Sequence, residues 1–226
     1  MDIGKAFSYV FDDEQWISSI LIAGLLALVP ILGWIAILGY MLEAARNVAM
    51  GSPRPLPKWD NFGEKLSLGF NAFLITLGWS LPVLLLMVPF MCIPLFAMAG
   101  GEDAAAAAAL GTVFCIMPIV IVLGVALQVP MLAGLARYVQ TGSLGAAFRV
   151  GEIFAMVRAD LGGWVVLWLL YLLCSVVASL GSIVIIGFIF TLPYSQAVFG
   201  HILGQKLLQL GRPAGYDVTY NPPPAM

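Results

Sequence analysis

Long runs without a charge alternate along the chain with short stretches that hold nearly all of its charge. Four apolar blocks result: Ile17 to Leu42, Leu66 to Gly101, Ala104 to Ala136 and Leu161 to Gln205. A helix crosses the ~30 Å of bilayer hydrocarbon with about 20 residues, and each block meets or exceeds that length. The fourth is too long for one helix. Gly181-Ser182 marks a turn within it, between Leu161 to Leu180 and Ile183 to Gly204. The first reads either as one span or as two short ones broken at Pro30 and Gly33. Periodicity does not decide, because a helix facing lipid is apolar all round.

A repeat bears on that choice. Ala45-Arg-Asn-Val-Ala-Met-Gly-Ser52 matches Ala136-Arg-Tyr-Val-Gln-Thr-Gly-Ser143 at five of eight positions. Gln205-Lys-Leu-Leu-Gln-Leu-Gly-Arg212 is a weaker third copy. Each ends an apolar block and sets a basic residue five positions before a glycine. Ile3-Gly-Lys-Ala-Phe7 similarly echoes Leu144-Gly-Ala-Ala-Phe148, and Trp59-Asp-Asn-Phe62 stands at the matching place before the middle unit. The pattern predicts an all-α, polytopic transmembrane bundle of six helices, built as three repeated hairpins with interfacial amphipathic segments. The whole chain, 1–226, is one membrane domain with units of about 1–52, 53–143 and 144–213 and a polar, proline-rich tail at 214–226. The first hairpin is the weak point: Ile17 to Val29 covers only about 20 Å.

Composition agrees. The chain is 62% hydrophobic and 10% charged, against about 25% charged in a soluble domain. The basic residues fall in four groups: Lys5; Arg46, Arg54, Lys58 and Lys65; Arg137, Arg149 and Arg158; Lys206 and Arg212. Under six helices all of these face the cytoplasm, and the opposite turns carry only Glu102 and Asp103, which is the positive-inside pattern. Five helices would move Lys5 to the other side. The expected location is the inner, cytoplasmic membrane, multi-pass, with both termini cytoplasmic. The N-terminal stretch, with Asp2, Asp12, Asp13 and Glu14 but only one Lys, lacks the basic start and the small-residue cleavage site of a secretory signal, so the first apolar block is expected to be retained. A net charge of −2 argues against a nucleic-acid partner. The expected partners are the lipid bilayer and either a membrane protein or a second copy.

Local signals refine this picture. Gly51, Gly142 and Gly211 stand where a helix end favours a left-handed residue, and Arg46, Arg137 and Lys206 complement the helix dipole one turn earlier. Glu102-Asp103 before the Ala104 to Ala109 run reads as a helix start. Phe148 to Val157 reads as an interfacial amphipathic helix, and Trp59, Trp79, Trp164 and Trp168 as core or belt aromatics. Cys92, Cys115 and Cys174 sit in apolar runs as packing residues.

Gly39-Tyr40 is followed by Arg46, Gly51, Leu56-Pro57, Trp59-Asp60 and Gly69. In this pattern the chain, from about Ala6 to Gly211, resembles a prokaryotic membrane family known only as domain of unknown function 4013. The resemblance implies a multi-helix integral membrane protein and no established activity. The second unit departs from it, with Pro130-Met131 in the place of Gly39-Tyr40 and no Pro-x-Trp after Arg137.

Candidate chemistry is sparse. Glu43 is the leading ionisable group inside an apolar block, where a charge costs about 3 kcal/mol on insertion scales. Its expected partners are Arg46, at i+3, or Arg137. His201 stands alone without a metal-ligand companion. Asn71, Gln128 and Gln196 suit interhelical hydrogen bonds. Seven prolines within the apolar blocks suggest kinks or broken helices of the kind that line transporter cavities. No nucleophile–base set, HExxH or phosphate loop occurs, so no catalytic residue, metal or cofactor is expected. The leading expectation is a non-enzymatic membrane scaffold. The alternative is a small transporter or channel between proline-broken helices, and a lipid-acting enzyme using Glu43 or His201 ranks below both. The family-motif and structural residues to follow are Gly39, Tyr40, Glu43, Arg46, Gly51, Pro57, Trp59, Arg137 and Gly142.

Overall fold

The computed structural model describes residues 2–181 and 185–211. Among the described residues the chain is helical throughout: α1 Ile3–Ser8, α2 Trp16–Ala27, α3 Leu32–Ala49, α4 Phe62–Ala97, α5 Glu102–Thr141, α6 Val150–Ala159, α7 Leu161–Gly181 and α8 Ile185–Leu210. Short 3-10 turns at Met98–Gly100 and Leu144–Phe148 precede α5 and α6. Ser182 and Ile183, at the expected last turn, lie outside the described residues, as do Arg212 and the 214–226 tail.

The first apolar block forms two helices. Pro30 cannot donate a backbone hydrogen bond, and the chain reverses there in a tight turn closed by the Leu32 N–H on the Pro30 carbonyl at 2.7 Å. Ile31 sits at φ 66°, a strained position for a β-branched residue. The other prolines do not break their helices. Pro82, Pro89 and Pro94 lie inside α4, Pro118 and Pro130 inside α5 and Pro193 inside α8. This corrects the expectation of proline-broken helices, which among the described residues holds only at Pro30. The reason is that each proline removes one i→i−4 bond from a helix of 26 residues or more, and the bonds on either side carry the helix through.

Helix ends follow the predicted chemistry. Gly51, Gly142 and Gly211 all take left-handed φ values, of 74°, 67° and 101°. Glu102 and Asp103 open α5. The Asp2 side chain caps α1 by accepting from the Lys5 N–H at 2.9 Å.

Among the described residues, three helices are long and apolar enough to cross a membrane: Phe62–Gly100, Glu102–Thr141 and Leu161–Gly181. Helix lengths are uneven. At ~1.5 Å per residue the 12 residues of α2 cover about 18 Å and the 36 of α4 about 54 Å.

Close backbone crossings set the architecture. α3 lies between α4 and α8, α5 returns along α4, α7 lies on α8, and α2 rests on α3 and α8. At the α3–α4 crossing a Cβ on Gly39 would stand 1.9 Å from the Lys65 carbonyl oxygen, and one on Gly69 1.8 Å from that of Ile35. Only glycine lets the two backbones meet there. Gly200 faces Met41 and Ala44, and Gly204 faces Ala45 and Val48. Contacts advance by one turn in the same sense on both helices, so α3 and α8 run parallel.

One core joins α1 and α3 to α8, with Leu42, Ile75, Leu132, Trp164, Leu167 and Phe199 at its centre, while α2 packs in two smaller clusters, Ile20 with Tyr9 and Tyr40 and Ala27 with Ile37 and Leu192. α6 is amphipathic as expected, burying Ile153 and Val157 while Glu152 and Arg158 stay exposed. Trp79 and Trp164 are core residues, Trp164 being wholly buried. By contrast the distal half of the α4–α5 hairpin is bare, with Leu85, Met91, Phe96 and Phe114 each more than two-thirds exposed.

Replacing Gly39 by Leu is expected to destabilise the fold by at least about 3 kcal/mol through overpacking at a backbone crossing. The same change at Gly111, where an added Cβ meets nothing within 4 Å, should be close to neutral. Thermal unfolding of the two detergent-purified variants distinguishes these outcomes.

Candidate functional site

Ionic side chains gather at one end of the molecule. The carboxyl ends of α3, α5 and α8 meet the amino ends of α4 and α7 there, joined by ion pairs. Arg46 pairs with Glu64 at 2.8 Å, Lys65 with Glu43 at 2.8 Å, and Arg137 and Arg149 both with Glu152 at 3.1 Å. Lys206 pairs with Asp160, and the exposed Arg54 with Glu14 at 3.3 Å.

Most of the motif residues converge on one nexus at this end. Gly39 brings α4 close enough for Glu43 to reach Lys65. Tyr40, fully buried, stacks on Trp59 with ring centroids 5.3 Å apart and planes 4° from parallel. Trp59 donates its indole N–H to the Ser19 carbonyl at 2.9 Å, tying the 51–61 loop to α2. The Lys65 ammonium lies 5.5 Å from the Trp59 ring centroid and also donates to the Lys58 carbonyl. Pro57 is buried beside Leu56 in the same loop. Gly51 turns the chain into it. Arg137 and Gly142 belong to a separate elbow at the end of α5. Glu43 thus finds Lys65, a partner that spacing along the chain did not suggest, because the pair bridges two helices.

A second buried ammonium follows the same design. Lys206, fully buried, lies 5.0 Å from the Trp164 ring centroid and bonds Asp160. Asp160 also accepts from the Gly163 N–H at 3.1 Å. The Lys206 hydrogen bond is the main cause holding the Asp160 carboxyl below its usual range, with the Gly163 N–H second. Glu152 is likewise held low by its hydrogen bonds from Arg137 and then Arg149.

Two of the three polar groups expected between helices are in use, while Gln196 makes no hydrogen bond among the described residues. Asn71 donates to the Tyr138 hydroxyl at 2.8 Å, and Gln128 accepts from the Trp168 indole at 2.5 Å. His201, nearly buried, accepts from the Gln205 amide at 3.1 Å and packs its ring 4.3 Å from that of Tyr9. Gln205 also clamps Asp2, and Tyr9 and Tyr194 bond the Ala197 and Phe7 carbonyls, so α1 is strapped along α8.

Two clefts open at this end. One, of about 550 Å³, lies between α1, the 51–56 loop and α8, with Lys5, Asp13, Arg54 and His201 on its walls. The other, of about 480 Å³, lies between the ends of α5 and α8 and the face of α6, with Arg137, Gln140, Thr141 and Glu152 on its walls.

The arrangement defines a helical protein with membrane-length apolar helices fastened at one end by buried and half-buried ion pairs. Residues 22–190 match the family described as protein of unknown function DUF4013, and the chain belongs to that family. No curated protein and no solved structure matches it.

Lys65→Met is expected to cost about 3–5 kcal/mol, since it strands Glu43 in a half-buried site. The double change with Glu43→Leu should recover most of that loss, and chemical denaturation in detergent measures both. The pH dependence has a definite sign. A carboxyl whose folded pKa is depressed stabilises above its ordinary range, and that stabilisation is lost as pH falls through it. The thermal midpoint of the protein should therefore drop on acidification into the carboxylate range, and Asp160→Asn should show a lower midpoint at neutral pH and a shallower drop.

Proposed function

We propose that the chain is an integral membrane protein of six membrane helices in three repeated hairpins, α2–α3, α4–α5 and α7–α8. On this reading the charged end and both termini lie on the cytoplasmic side of the inner membrane. It acts without catalysis, as a scaffold that organises its membrane or supports a membrane-protein partner or second copy. The observation that carries this is the fate of three polar groups within or at the edge of the apolar blocks: Glu43, Asn71 and Gln128 are each consumed in a contact with another side chain. A transport site needs such groups turned towards a path, with unwound backbone to hold a solute. The continuous course of α4 and α5 through their prolines supplies no unwound segment there. The clefts of about 550 Å³ and 480 Å³ both sit at the charged end.

The repeat reading draws support from equivalent contacts. Arg46 and Arg137, matched in the sequence repeat, each pair with a glutamate on the segment that follows their elbow. Ala6 and Ala147, matched in the preceding echo, are both fully buried. The parallel course of α3 and α8 is what two copies of one hairpin would give. Clustered Lys and Arg at one end support a cytoplasmic position for that end through the positive-inside rule.

Reporter fusions within Met1 to Phe11 and after Met226 are expected to read cytoplasmic together. Opposite readings would reject six helices, and a monomer soluble without detergent would reject the membrane assignment. Liposomes carrying the purified protein should show no saturable solute uptake. Uptake abolished by Glu43→Ala would end the scaffold reading in favour of transport.

A further inference from the structure

The cleft between the ends of α5 and α8 and the face of α6 sets polar side chains on one wall and apolar ones on the others. Its wall carries Gln140, a residue only 8% exposed whose side chain makes no hydrogen bond among the described residues. The amide opens onto the cleft rather than being sealed from it, and its N–H donors are left for a ligand there. Arg137 lies one turn earlier on the same wall. Its Nε is buried and donates to nothing among the described residues, while its other end reaches Glu152. Thr141 gives its hydroxyl proton to the Arg137 carbonyl at 2.8 Å and accepts from the Ser143 N–H at 3.2 Å, so its hydroxyl is already in use. The remaining walls, Ala155, Met156 and Leu210, are apolar.

Charge selects the ligand. Arg137 and Arg149 share the single carboxylate of Glu152, and the two arginines hold it ionised. The cluster therefore keeps one surplus positive charge. The carbonyl ends of α5 and α8 oppose an anion, but they are partial charges and partly capped, by the Thr141 hydroxyl and by the Gly142 N–H on the Tyr138 carbonyl at 2.8 Å. A full guanidinium charge outweighs them. An anion with several acceptor oxygens and an apolar remainder fits both the donors and the apolar wall.

We propose that this cleft binds a phosphate ester, with the phosphate oxygens on Arg137 and the Gln140 amide. The source that suits the depth of the cleft is the headgroup of an anionic phospholipid. That choice rests on the membrane reading above, whereas the phosphate chemistry does not.

The test is native mass spectrometry of the full chain in detergent, titrated with phosphatidylglycerol or phosphatidylcholine of matched acyl chains. Retention of phosphatidylglycerol is expected to exceed that of phosphatidylcholine by about tenfold, the scale of a charge-assisted hydrogen bond. Gln140→Leu should cut the preference several-fold at an unchanged thermal midpoint. Glu152→Gln should raise it, because the arginines lose their competing carboxylate, an effect that a purely structural role of Glu152 would not produce. Equal retention of the two lipids, or a preference that neither variant moves, overturns the proposal. Inorganic phosphate forms the second arm. Displacement of the lipid by inorganic phosphate identifies free phosphate as sufficient, and lipid retained against it identifies the headgroup, both within the proposal. A chain found to be soluble that still binds inorganic phosphate through Gln140 would sink the membrane assignment and leave this site standing.

Discussion

The ammonium of Lys65 is out of contact with solvent, and the rest of the structure is arranged around making that tolerable. A buried charge without a partner costs several kcal/mol. Here Glu43 supplies the counter-charge, the Lys58 carbonyl a further acceptor and Trp59 a ring face. None of these would reach Lys65 unless α3 and α4 touched backbone to backbone at Gly39 and Gly69. The glycines, the tyrosine that stacks on Trp59 and the glutamate are therefore one device. Its job is to fix the angle and register at which the first helical pair meets the second.

Other contacts close the same end. Arg46–Glu64 adds to the first junction, Arg137–Glu152 joins the end of α5 to α6, Lys206–Asp160 joins α8 to the start of α7, and Gln205–Asp2 returns to the beginning of the chain. Exposed pairs among them are worth little individually, about 0–1 kcal/mol. The two lysine-centred pairs matter more because desolvation makes the geometry obligatory. Fastening at one end leaves the opposite end of the α4–α5 hairpin free of protein contact.

Much of this was legible in the sequence, and the reasons are local. Helix ends at Gly51, Gly142 and Gly211 and the start of α5 at Glu102 follow from backbone preference and dipole, which depend on a few neighbouring residues. The fold class followed from uncharged lengths alone. Partner choice was not legible. Glu43 has Arg46 one turn away, and nothing in the spacing reveals that a lysine 22 positions later would be wholly buried against it, since that depends on how closely two helices cross. Nor did the prolines declare themselves. The same residue stands at the break between α2 and α3 as Pro30 and is carried within α4 as Pro82, Pro89 and Pro94, a difference that the residue type alone does not encode. Gln140 was passed over for the same reason: a glutamine near a helix end looks solvated until α6 and α8 are seen to enclose it.

The contrast in reach between α2 and α4 has its own consequence on the membrane reading. Lipids beside the first hairpin must shorten their chains' extension, and those beside the second must lengthen it or let the hairpin lean. Each copy would then carry an elastic strain field of opposite sign on its two flanks. Two copies meeting flank to like flank would share one distorted rim of lipid in place of two, and would attract each other with no residue in contact.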